Sequence, residues 1–316
     1  MISAAAFSDA FVGRQDELEL LSDAFRSACE GRPRFVAVEG EAGIGKSRLV
    51  REFAARLGDS AAVAFGGCVE QIRRPYLPVE QVLERLGRRP RLPAAFDGRT
   101  HAEERAAYFQ GVAEALERES TRKPLAIVIE DVQWADDATI DLLRYLTTAI
   151  EEARLLVILT LRTSTMHANA PLAGLRLSLL RVRGSSIALR GLRRYDVRNL
   201  IANVVRDRAP ELPLQTIAKI ESLCDGNPLF AEELTRIAID SGEIVLGTSA
   251  PLSAQAMLTE RLATFSEDER NVLVRAAIVG QNFDASFVAE IAGTTTDRVL
   301  TTMQRALEHE LVVADR

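Results

Sequence analysis

The stretch Gly40-Glu41-Ala42-Gly43-Ile44-Gly45-Lys46-Ser47 constrains this chain more than any other segment. It follows Arg34 to Glu39, a short run rich in β-branched and aromatic residues that reads as a strand, and it precedes Lys46 to Leu57, which reads as a helix. A turn of this composition between strand and helix matches the spacing G-x-x-x-x-G-K-[ST]. Its glycines permit backbone conformations closed to other residues and let the chain approach a ligand closely. Its amides and the helix N-terminus direct donors and positive dipole at an anion. Lys46 adds a mobile ammonium for β- and γ-phosphates, and Ser47 adds a hydroxyl for Mg²⁺.

The rest of the first two-thirds reads as alternating strands and helices. Gln15 to Cys29 has apolar residues at helical spacing, as do Ala102 to Glu119 and Ala138 to Glu151, with a short helix around Val79 to Leu86. Ala61 to Phe65, Leu125 to Ile129, Leu155 to Leu161 and Ser186 to Leu189 read as further strands. The continuous apolar runs among them suit strands buried on both faces, so the pattern predicts a parallel sheet covered by helices on both sides. Beyond residue 192 the strands stop. Arg194 to Arg206, Pro213 to Cys224 and Leu229 to Ser241 read as helices, then Leu252 to Phe265, Glu267 to Val279, Asp284 to Ile291 and Thr296 to Glu308, with a possible terminal strand at Leu311 to Val313. The expected organisation is an α/β domain over 1–191, a helical lid over 192–246 and a winged-helix-like domain over 247–316, with Gly242 to Ala250 as the boundary between the helical parts.

Composition narrows the setting. A chain of 316 residues exceeds one compact core. The formal net charge of −6 removes the usual electrostatic footprint of a nucleic-acid binder. The three cysteines (Cys29, Cys68, Cys224) are far apart and lack metal-site or disulfide-framework spacing, which fits a reducing compartment. Met1 to Ala10 lacks the basic and apolar parts of a secretion signal. The apolar run Leu155 to Leu161, closed by Arg154 and Arg162, is about a third of a membrane span. A soluble, cytoplasmic protein is expected.

The strand from Leu125 delivers Glu130 and Asp131 at its C-terminal end, the edge where open α/β sheets bind ligands. Two carboxylates there can hold hydrated Mg²⁺ and orient an attacking water, with Glu130 on the metal side and Asp131 polarising the water. Without the upstream loop, the pair reads equally well as solvated acids capping the next turn. Thr160 and Arg162 emerge at the same edge from the neighbouring strand. Arg162 reads either as a sensor of the γ-phosphate or as a surface arginine after a core strand. Trp134, the single tryptophan, reads as packing under the loop rather than touching ligand.

Four segments together resemble the STAND class of signal-transducing P-loop ATPases within the AAA-like group, and more narrowly the N-terminal ATPase module of large LuxR-type bacterial transcriptional regulators. They are Phe11-Val12-Gly13-Arg14-Gln15-Asp16-Glu17-Leu18 (the family's F-V-G-R-E-x-E-L box), the Gly40 to Ser47 loop, Ile127 to Asp136 ending in Trp134-Ala135-Asp136, and Gly226-Asn227-Pro228-Leu229-Phe230. The resemblance implies that Val12, Gly13 and Arg14 lie beside the adenine. It implies that Gly40, Glu41, Ala42, Gly43, Ile44, Gly45, Lys46, Ser47 and Arg48 hold the phosphates of ATP or ADP. It also implies that Pro228 packs on the nucleotide from the lid, and that Ser47, Glu130 and Asp131 serve Mg²⁺, partly through water. Three departures bear on hydrolysis: Gln15 replaces the usual acid, Glu130 stands where many relatives have Asp, and Gln133 stands where His is frequent. Such relatives continue into a helical-repeat sensor region and a DNA-binding helix-turn-helix, so this chain is expected to be a fragment of a longer regulator or a short stand-alone switch.

Three functions fit these residues. The leading one is a regulatory switch with weak turnover that acts through self-association or a regulatory protein partner and reaches DNA only through a domain outside this chain. The second is a remodelling or loader ATPase in a ring, with Arg193, Arg194, Arg206 or Arg208 reaching a neighbouring subunit. The third is a nucleotide-binding module without hydrolysis. The arginine-rich stretch from Arg176 to Arg198 has one aromatic residue, Tyr195, and no recognition helix, so direct DNA contact is the lesser reading.

Overall fold

The computed structural model describes residues 11–70, 74–88, 101–163, 170–181, 184–206, 212–241, 262, 264–279 and 283–308. The chain divides into two compact units, Met1–Gly242 and Glu243–Arg316.

The first unit contains α1 (Gln15–Cys29), β1 (Arg34–Glu39), α2 (Lys46–Leu57), β2 (Ala62–Gly67), α3 (Leu77–Arg85), α4 (His101–Arg122), β3 (Leu125–Glu130), α5 (Asp137–Ala149), β4 (Leu155–Leu161), α6 (Ala170–Arg181) and β5 (Gly184–Ala188), then α7 (Arg194–Arg206), α8 (Leu214–Cys224) and α9 (Pro228–Ser241). The strands form one five-stranded sheet in the order β2-β3-β4-β1-β5. All its pairings are parallel. The period of two along each strand sorts the core into two layers. Ile127, Ile129, Val157 and Leu159 pack with side chains of α3, α4, α5 and α6. Ala126, Val128, Leu156 and Ile158 pack with Leu18 and Leu21 of α1 and with Leu49 and Phe53 of α2. This is the three-layer α/β arrangement expected from the sequence. Every residue of β4 is buried, whereas the edge strand β5 exposes most of its residues, as their apolar and Ser/Gly-rich sequences require.

The predicted elements hold with small shifts: β2 runs to Gly67, and α3 starts at Leu77. Helix α6 is not anticipated by the sequence pattern. Its buried Leu172, Leu175 and Leu179 have helical spacing, but Leu177 breaks the polar face and is 54% exposed, so the periodicity is blurred. The predicted terminal strand Leu311 to Val313, the boundary Gly242 to Ala250, and most of the helix Leu252 to Phe265 lie outside the described residues.

In the second unit, α10 (Glu267–Val279), α11 (Ala285–Ala292) and α12 (Thr296–Glu308) close around Phe265, Val272, Val288, Val299 and Met303. Its helix starts are locally encoded. Ser266 and Glu269 form a reciprocal capping box, with Ser266 N donating to Glu269 Oε2 at 2.8 Å and Glu269 N to Ser266 Oγ at 3.3 Å. Asp284 caps α11 by accepting from Ser286 N at 2.8 Å and Phe287 N at 3.3 Å.

Close packing of α3 on β2 depends on Gly66. A β-carbon there would lie 1.9 Å from the carbonyl oxygen of Pro78. That oxygen is main chain and cannot swing away, so strand and helix would have to separate. Gly66→Ala is therefore expected to destabilise the protein by about 1–3 kcal/mol, read as a lower denaturant midpoint at unchanged slope.

Candidate functional site

Three strand ends meet at the carboxyl edge of the sheet. Because β4 lies between β1 and β3, the glycine-rich loop after β1 and the acids after β3 flank the exit of β4. The loop is held on several sides. Gly40 N donates to Leu161 O at 3.3 Å, Ile44 N to Glu41 O at 3.3 Å, and Leu49 N to Gly45 O at 2.9 Å, the last joining loop to helix α2. Gly43 takes a φ of 74°, and a β-carbon on it would lie 2.9 Å from Leu229, so both conformation and space require glycine. The buried Lys46 folds back into the loop, its Nζ donating to Gly40 O at 2.8 Å and Glu41 O at 2.9 Å.

The acids sit in unlike surroundings. Glu130 Oε1 is buried without a hydrogen-bond partner, and Oε2 lies 3.5 Å from the exposed guanidinium of Arg51. Asp131 has a left-handed backbone, φ 57°. Its N donates to Thr160 Oγ1 at 2.9 Å, and its Oδ1 accepts from Gln133 Nε2 at 2.9 Å. Gln133 Oε1 in turn accepts from Arg162 N at 3.2 Å. The Arg162 guanidinium stands 5.6 Å from the centroid of the Trp134 ring. Asp136 accepts from Ala138 N at 3.0 Å and Thr139 N at 3.2 Å, so the last acid of the motif is the cap of α5. Cys68 N donates to Glu130 O at 3.0 Å. Burial, reinforced by the charges of Asp131 and Asp136, pushes the Cys68 thiol up to about 12.

A cleft of about 430 Å³ opens here. Most of the predicted site residues line it: Val12 and Arg14, the loop from Ala42 to Arg48 including Ser47, then Asp131, Arg162 and Pro228. Gly13, Gly40, Glu41 and Glu130 are not on its wall. Gly13 faces Asp196, and Gly40 and Glu41 act through the carbonyls that hold Lys46. Arg14 also holds the loop in place. Its guanidinium is 8% exposed and bonds Glu17 Oε1 at 3.1 Å, Ile44 O at 3.2 Å and Arg190 O at 2.6 Å, so it braces the glycine-rich loop against the chain after β5.

Residues at the start of α9 bear on the loop directly. Asn227 Nδ2 donates to Ala42 O at 3.1 Å, while its Oδ1 accepts from Leu229 N at 3.1 Å and caps α9. Leu192, Leu200, Leu229 and Glu232 complete the wall on this side. Asn227 and Leu229 stand in the Gly226 to Phe230 segment, in which only Pro228 was given a site role from the sequence, whereas Leu192, Leu200, Glu232 and Arg51 were not singled out.

The set can hold Mg²⁺. Ser47 offers a hydroxyl, Glu130 and Asp131 offer hard carboxylate oxygens, and Glu130 Oε1 is a buried acceptor with its capacity unspent. Among the described residues no cluster of three or more His, Cys, Asp or Glu forms an all-protein metal cage.

Residues 10–158 match the family described as AAA ATPase domain. An uncharacterized protein of Rhizobium meliloti (strain 1021) is 26% identical over 266 residues, 71% of this chain and 24% of that protein, so the match spans about a quarter of the relative. The Aeropyrum pernix ORC2 protein in ADPNP–ADP complexes superposes with a TM-score of 0.64 at 14% identity, over 99% of this chain and 90% of that one. Cdc6p from Pyrobaculum aerophilum gives 0.54 at 15%, over 97% and 88%. These likenesses identify the architecture as the α/β P-loop NTPase fold.

Two outcomes follow from the site geometry. Asn227→Ala removes both the cap of α9 and its bond to the loop, and should cost about 1–3 kcal/mol in denaturant unfolding. Cys68 should react with iodoacetamide at pH 8 about a thousandfold more slowly than a free cysteine, measured by mass spectrometry against the same chain unfolded in urea.

Proposed function

We propose that this chain is an ATP-binding, slowly hydrolysing switch, the regulatory ATPase module of a transcriptional regulator of the STAND, LuxR-type kind. The observation that carries the reading is the seating of Asn227, Pro228 and Leu229 on the glycine-rich loop. A nucleotide entering the cleft must contact sheet edge and lid together, so the presence or absence of a γ-phosphate can bias how the lid sits. The ORC2 protein of the same fold is described in ADPNP–ADP complexes, which supports a nucleotide in this position.

In this reading the phosphates rest on the loop amides from Ala42 to Ser47, with Lys46 released from its carbonyl partners onto the β- and γ-oxygens. Ser47, Glu130 and Asp131 would hold Mg²⁺, partly through water, and the bound ion would supply charge neutralisation for the phosphates. Asp131 orients the water that attacks the γ-phosphorus as the bridging bond to the β-phosphate breaks, and Arg162 meets the charge that develops there. Val12 and Arg14, with Leu192 and Leu200, line the cleft and would take the base.

The ring-ATPase alternative has less support. Two of its four candidate arginines are engaged within the chain, Arg193 with Asp16 at 3.3 Å and Arg194 with Glu221 at 2.7 Å. Arg198 also pairs with Glu221, and Arg176 bonds the buried Glu39 at 2.9 Å, so the basic stretch is partly neutralised. Arg208 lies outside the described residues. Action through self-association or a protein partner, in the cytoplasm, with DNA reached by a separate domain, completes the proposal. No described helix is long and apolar enough to cross a membrane. The helices α10 to α12 are compatible with a winged-helix-like unit.

Steady-state hydrolysis at saturating Mg-ATP, with Lys46→Ala as control, tests the reading. Turnover well below about 1 s⁻¹, with nucleotide binding lost in the control, is the expected result. Fast turnover that rises with protein concentration would favour the ring, and an intact chain that binds no nucleotide would end the proposal.

A further inference from the structure

We infer that Gln133 is a positioning residue that sets the orientation of the Asp131 carboxylate and ties it to the position of Arg162. The inference rests on the reading of the cleft as a nucleotide site.

Gln133 lies in the 3-10 turn Val132–Trp134 and is 6% exposed. Burying a primary amide costs free energy unless its polar atoms are bonded. An aliphatic side chain of similar volume would fill the place without that demand. Both ends of this amide are instead used, and they reach two groups at the candidate chemistry. A carboxylate only accepts, so the amide nitrogen must face Asp131, and a main-chain N–H only donates, so the amide oxygen must face Arg162. The partners thus fix the direction of the amide at 2.9 Å and 3.2 Å.

Asp131 is then held at two points. Thr160 Oγ1 fixes its main chain, and Gln133 fixes Oδ1. With Oδ1 engaged, rotation of the carboxylate is restricted and Oδ2 keeps one setting. The second bond of Gln133 runs to the residue whose guanidinium stands over Trp134 and lines the cleft. An anion that draws Arg162 moves the chain segment bonded to Gln133 Oε1, and the same amide carries that displacement to the carboxylate. Phosphate occupancy and acid geometry are coupled through one side chain.

The test compares Gln133→Met, which keeps volume and loses both bonds, with Gln133→Glu, which can still accept from Arg162 N but repels Asp131, and with Gln133→His, which restores a donor. Single-turnover ATP hydrolysis, affinity for a fluorescent ADP and Trp134 emission are measured on the full chain. Loss of the positioning bond should slow hydrolysis about 10- to 100-fold in the Met and Glu variants, leave ADP affinity within about twofold, and be partly reversed in the His variant. A non-hydrolysable ATP analogue should shift Trp134 emission relative to ADP in the wild type, and the difference should vanish in Gln133→Met. Wild-type turnover and emission in Gln133→Met would overturn the inference, as would a fall in ADP affinity matching the fall in rate. An intact protein that fails to bind nucleotide would instead remove the reading beneath it.

Discussion

The burial of β3 and β4 on both faces is the constraint on which the rest depends. Apart from Glu130 and Thr160 near their carboxyl ends, both strands are apolar, so the chemistry of both gathers at those ends. Glu130, Asp131, Thr160 and Arg162 are therefore found where the strands leave the sheet, and the parallel pairing brings those exits level. The register pairs Glu39 with Leu161 and Ile129 with Leu159. The loop, the acids and the arginine are thereby set along one line, with β4 as the shared spacer.

Helix α9 adds a second constraint. Its first turn is capped by a side chain that also bonds the loop, so the helix cannot shift without breaking either its own cap or its grip on Ala42. Arg14 acts in the same way from the other side, as one guanidinium bonded to the loop and to the chain after β5. The loop is thus held by side chains from both ends of the first unit's sequence, and its geometry belongs to the unit rather than to the eight residues alone.

Much of this was legible beforehand. Local signals carried it: glycine spacing for the loop, apolar runs for β3 and β4, and the order of helices and strands for the three layers. What escaped was set by contacts distant in sequence. Asn227 to Ala42 spans 185 residues and Arg14 to Arg190 spans 176, and no periodicity encodes such pairs. Helix α6 escaped for a local reason, since leucines on more than one side erase the contrast that reveals an amphipathic face. Gln133 was visible only as a departure from a familiar pattern. Its two bonds depend on β4 lying beside β3, which only the sheet order discloses.

The contact between Gly43 and Leu229 has a further consequence. The loop has no spare volume beneath the lid: a single added methyl at position 43 would meet Leu229 at 2.9 Å. Side-chain size at these two positions therefore acts as a mechanical stop. A bulkier residue at position 229 would serve as a wedge, propping helix α9 off the loop without replacing Lys46, Asp131 or a loop residue that takes phosphate. The resting posture of that helix is in this sense set in part by a steric fit between one glycine and one leucine.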